Sequence, residues 1–124
     1  MNSFWPTLDQ LIAQSTVVID RPRHSRHPRY PELIYPYDYG YLDSTTSMDG
    51  GGIDLWRGTQ GENTLSAVIV TVDLIKRDSE IKLLLGCTPQ EAEEILAFHN
   101  DGFQAAILLP RPDDPVTGLF EINP

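Results

Sequence analysis

Three stretches of the sequence gather side chains able to handle an anion or a hard cation. Residues 21 to 29 hold Arg21, Arg23, Arg26 and Arg29, with His24 and His27 among them and no acid. Arginine offers a planar fork of donors that suits paired phosphate oxygens. Such an arm is either a solvated loop pairing with the body or an anion site set opposite carboxylates. In Asp49-Gly50-Gly51-Gly52-Ile53-Asp54 a carboxylate stands at each end of a glycine turn. Glycines let the backbone turn sharply and leave room for a ligand, and converging carboxylates suit magnesium. A plain glycine hairpin with two solvated aspartates fits the same residues. The third stretch, from Asp73 to Lys82, sets Asp78, Glu80 and Lys82 at alternate positions, hence on one face of a strand. A lysine beside carboxylates suits a phosphate oxygen as a compact point charge. A charged hairpin tip is the other reading.

The elements around these stretches follow from pattern and punctuation. Thr7 caps a helix running to Gln14 with Leu8, Leu11 and Ile12 as its apolar stripe, within an N-terminal segment 1–15. Thr16 to Ile19 is β-branched and extended. The prolines of the basic arm keep it out of helix and central strand. Leu33 to Tyr37 reads as a strand, and Tyr39-Gly40-Tyr41 leads from it into a polar loop. Ile53 to Trp56 is extended again. Ser66 to Ile75 and Ile81 to Leu85 form a hairpin. Thr88-Pro89-Gln90-Glu91 opens a second helix with a capping box that reaches His99 and closes at Asn100-Asp101-Gly102. Gln104 to Leu109 is a last strand, and 110–124 is an extended, proline-punctuated tail. Short strands with two helices predict a small β-barrel or twisted antiparallel sheet.

With 124 residues the expectation is one domain. No apolar run approaches the roughly 18 residues of a membrane helix. Cys87 is the only cysteine, which excludes an intramolecular disulfide and a multi-cysteine zinc site. Met1 to Gln14 carries no secretory pattern, so a cytoplasmic setting is expected. Net charge is −9, and outside the basic arm five basic residues face all 18 acids. Such a body repels nucleic acid and anionic membranes, so neither is an expected partner.

Tyr35-Pro36-Tyr37-Asp38-Tyr39-Gly40-Tyr41, followed by Asp49-Gly50 and then Asp54, resembles the soluble family I inorganic pyrophosphatases. That family carries tyrosine-proline-x-x-tyrosine-glycine followed by aspartate-glycine-aspartate-proline-x-aspartate. The resemblance covers about residues 16 to 85. It implies a five-stranded antiparallel OB-like barrel with flanking helices, and magnesium-dependent hydrolysis of pyrophosphate in the cytoplasm by a protein that is often a homo-oligomer. Carried over, Asp49 and Asp54 match metal-binding aspartates of the motif, and Tyr39 a tyrosine near the catalytic water. Asp78 and Glu80 match later metal ligands, Lys82 a phosphate-binding lysine and Asp20 an early acid at the site. Arg23, Arg26 or Arg29 stands for early phosphate-binding groups. The chain departs from the motif where Gly51 and Gly52 replace the central aspartate and the proline, and where no late tyrosine-lysine pair occurs near His99-Asn100. The central carboxylate helps activate water, so His24, His27 and Asp38 become the candidate bases. Two functions follow: hydrolysis of pyrophosphate or a related phosphoanhydride, or a catalytically impaired module that binds a phosphorylated ligand or a protein partner.

Overall fold

The computed structural model describes residues 3–47, 50–100 and 102–112. In chain order the elements are α1 (Phe4–Ala13), β1 (Thr16–Arg21), β2 (Asp38–Asp43), β3 (Ile53–Arg57), β4 (Leu65–Asp73), β5 (Asp78–Leu85), α2 (Pro89–His99) and β6 (Gln104–Pro110). None of these helices is long and apolar enough to cross a membrane.

The strands form one mixed sheet of six in the order β1-β2-β3-β5-β4-β6. This corrects the expected five-stranded antiparallel barrel in three respects. A sixth strand, β6, lies on the outer side of β4; β3 and β5 run parallel, with Leu55 opposite Leu83; and β1 and β6 stand at opposite edges instead of closing on each other. The parallel pair arises because the β4–β5 hairpin turns back and inserts its second strand against β3.

Helix α1 starts at Phe4, ahead of the expected Thr7, and its cap residue Ser3 makes no side-chain capping bond. Pro6 fits there because backbone N–H groups of the first turn have no helical partner to lose. The strand expected over Leu33 to Tyr37 is instead β2, beginning at Asp38; the segment before it makes one bridge, Arg26 with Ile34. Pro36 cannot donate to a ladder, whereas Tyr39-Gly40-Tyr41 pairs on both sides, with β1 and β3. A Cβ on Gly40 would stand 1.8 Å from the Val18 carbonyl oxygen, so this close crossing requires glycine. Helix α2 carries the expected capping box between Thr88 and Glu91, with Pro89 in its first turn. The Asn100 side chain then clasps Leu96 and Ala106, tying the helix end to β6. The expected tail 110–124 lies outside the described residues beyond Pro112.

Side-chain alternation sorts the interior into two clusters, one on each face of the sheet. Leu83 and Leu85 join Ile12 of α1, Leu42, Leu55 and Val68 on one face. Leu84 joins Tyr35, Tyr39, Trp56, Ile69 and Ile95 of α2 on the other.

Candidate functional site

A cavity of about 700 Å³ opens on the α2 face, lined by residues from all six strands, from α2 and from the basic arm. Asp54 on β3, Lys82 on β5 and Tyr39 on β2 share this face. Lys82 Nζ donates to the Tyr39 hydroxyl at 3.0 Å and to Asp54 Oδ2 at 2.9 Å. The Tyr39 hydroxyl donates to the same Oδ2 at 2.5 Å. Burial, and then the neighbouring Asp54 charge, push the Tyr39 phenol well above its ordinary range, so it remains protonated and a donor. Glu80 is also buried, with its carboxylate 3.9 Å from Lys82 Nζ, but it does not line the cavity.

The arm closes one side of the cavity. His27 Nδ1 accepts the backbone N–H groups of Arg29 and Tyr30 at 3.0 and 3.1 Å, and its ring lies nearly parallel to Tyr35 at 6.1 Å. Burial and the Arg21 charge lower the pKa of His27, which favours the neutral ring that this acceptor role requires. Arg21 donates to the Tyr35 hydroxyl, with its guanidinium 5.5 Å from the Tyr35 ring and 5.7 Å from Tyr39. The pairing of β1 with β2 shifts register between Ile19 and Arg21. Consecutive residues of a regular strand point to opposite faces; at this irregularity both Asp20 and Arg21 line the cavity.

A hydrogen-bonded chain reaches the cavity from beneath. Trp56 Nε1 donates to His99 Nε2 at 2.9 Å, and His99 Nδ1 meets Gln104 Oε1 at 2.8 Å. The tautomer consistent with both contacts carries its proton on Nδ1. Gln104 in turn donates to Asp73 Oδ2 at 3.3 Å. Burial, followed by the Lys82 charge, lowers the pKa of His99 to about 4, so the imidazole is neutral near pH 7.

Of the residues singled out by sequence, the cavity gathers Asp20, His27, Arg29, Tyr39, Asp54 and Lys82. Arg23 is held elsewhere, by Asp38 and the Pro36 carbonyl, with its guanidinium 4.8 Å from the Tyr37 ring. Arg26 donates to the Pro31 carbonyl. Neither lines the cavity, nor does Asp78, which pairs with Asp73 at the far end of the β4–β5 hairpin. Asp49 lies outside the described residues. Sequence reasoning placed Arg21 in the basic arm but did not carry it to the site, and it missed Asp73, His99 and Gln104. For Asp73 the signal lay directly across the turn from Asp78, where a carboxylate ends a long apolar strand. For Arg21 it lay in an acid-base pair at a strand end.

The described residues do not fit a magnesium site. Among them no three His, Cys, Asp or Glu side chains converge as metal ligands. Asp54 Oδ2 already accepts two hydrogen bonds, one from an ammonium.

No family model matches the sequence, and no curated protein matches it either. Solved structures do. An inorganic pyrophosphatase from Neisseria gonorrhoeae superimposes with a TM-score of 0.57 at 16% identity, covering 76% of this chain and 80% of that one. The inorganic pyrophosphatase of Helicobacter pylori gives 0.54 at 15% identity, covering 77% and 82%. One from Coxiella burnetii gives 0.50 at 14% identity, covering 86% and 90%. The chain therefore has a pyrophosphatase-like fold. At this identity the likeness is one of fold.

Proposed function

We propose a pyrophosphatase-like function in which the chain takes pyrophosphate or a related phosphoanhydride into this cavity. The observation that carries the reading is Lys82, an ammonium whose side chain is only 8% exposed and which stands in a cavity that Arg21 and Arg29 also line. A cation held out of water is stabilised by facing negative charge, and Asp54 and Glu80 supply two such charges. An incoming phosphate oxygen supplies the next. Lys82 would hold it as a point charge, while Arg21 and Arg29 engage further oxygens. Tyr39, fixed as a donor, orients Lys82 and Asp54.

Binding without cleavage fits the geometry better than hydrolysis. Gly51 stands where the family motif has its central carboxylate, and Asp54 Oδ2 is engaged by two donors. Hydrolysis draws its support from Asp20 and Asp54, which line the same cavity as the cations. Calorimetric titration of the full chain with pyrophosphate, in chelator and again with magnesium, tests the reading. Binding in chelator, weakened about tenfold or more in Lys82→Met, is the expected result. Absence of binding in both conditions overturns it. Phosphate release above that of an Asp54→Asn variant would establish the hydrolase instead.

A further inference from the structure

The cavity is far larger than one diphosphate ion needs. At about 700 Å³ it lies in the range that encloses a drug-sized organic molecule. Its lining is also divided. Lys82 and Arg21 both stand against the Tyr39 ring, 5.6 and 5.7 Å from its centre, whereas the outer wall is aromatic, with Arg29 5.8 Å from the Tyr30 ring. From the interior outward, Trp56, Tyr35, His27 and Tyr30 follow one another with ring centroids 5.6, 6.1 and 5.2 Å apart. The ladder ends at Tyr30, which is 44% exposed. Phe103, another lining residue, is 65% exposed, and Ile75 is 63% exposed. Large apolar groups left open at the mouth of a charged cavity give nothing to an inorganic anion, but they suit the flat face of a nucleobase.

The acids of the lining agree with an organic ligand. Asp20 and Glu32 line the cavity beside Arg21 and Arg29. A carboxylate repels a second phosphate but accepts hydrogen bonds from sugar hydroxyls. Resting on the proposed phosphoanhydride site, we infer that its ligand is a nucleoside diphosphate: phosphates against Lys82 and Arg21, base against Tyr30 and Phe103, with Arg29 beside Tyr30.

Titration calorimetry of the full chain with ADP, adenosine and pyrophosphate tests this. ADP is expected to bind more tightly than either other compound. Tyr30→Ala and Phe103→Ala remove exposed rings and so spare the interior; each is expected to lower the ratio of ADP to pyrophosphate affinity by about tenfold. Pyrophosphate binding as tight as ADP binding, or an affinity ratio unchanged in both variants, overturns the inference and leaves the phosphoanhydride reading standing. Failure of both pyrophosphate and ADP to bind overturns the two together.

Discussion

The buried residues of the sheet face beneath α1 are aliphatic: Ile12, Leu42, Leu55, Val68 and Leu83 fill it, and among the described residues no ionisable group is buried with them. The face beneath α2 packs Tyr35, Tyr39 and Trp56 beside buried Glu80, Lys82 and His99. A hydrocarbon interior asks only for volume and shape. Each buried polar group on the other face needs a partner held at hydrogen-bonding distance. The first face serves the fold. On the second, groups costly to bury are kept where the cavity can use them, and the aromatic rings supply rigid walls for that work.

The largest expected effect breaks the comparison on the aliphatic side. Leu83 is fully buried, and Leu83→Ala should destabilise by about 2–5 kcal/mol, read from urea unfolding midpoints. Because Leu83 points away from the cavity, pyrophosphate affinity of the folded fraction should be unchanged; an affinity loss matching the stability loss would mean that the faces are not separable.

His99 sharpens the contrast through pH. Its pKa falls from 6.5 to about 4 in the folded chain, so between those values the unfolded chain binds a proton that the folded chain does not. Stability therefore rises with pH across this window; the contribution is complete above about pH 6.5 and is lost as pH falls toward 4. The shift corresponds to about 3 kcal/mol. Between pH 4.5 and pH 7 the natural chain should gain about 2 kcal/mol more stability, read from unfolding, than His99→Gln does, and equal gains would remove the argument. Tyr39→Phe is a smaller cut. Lys82 and Asp54 still pair directly, so the expected cost is about 1 kcal/mol in the same assay.

The smallest effect falls outside both faces. Arg111 pairs with Asp9 through two bonds of 2.7 and 2.8 Å, lowering the Asp9 pKa. Because the Asp9 side chain is still 44% exposed, Arg111→Ala should cost less than about 1 kcal/mol, and less still in high salt. A larger loss would show that this link between α1 and the end of β6 belongs to the core.

Local chemistry made part of this legible in the sequence. Thr88, Pro89 and Glu91 carry their own helix start, and the β4–β5 hairpin follows from apolar runs around a charged turn. The neighbours of a strand are decided by distant residues, so β5 lying parallel to β3 was not to be read from either segment. Tyr39-Gly40-Tyr41 passed for a lead into a loop because only pairing on both sides makes it a strand. At the site, Lys82, Asp54 and Tyr39 were legible from motif and alternation. Arg21 was not, because a register shift overrides alternation there. Nor was His99, whose partners Trp56 and Gln104 come from two other elements.

The bond from Trp56 to His99 gives the molecule an optical reporter. Trp5, the other tryptophan, sits on α1 at the opposite face, so the two indoles view different halves of the interior. A proton arriving on the imidazole takes away the acceptor of the Trp56 indole alone. Fluorescence of a Trp5→Phe chain would then follow acid entry into the polar half by emission colour and lifetime, without an added dye.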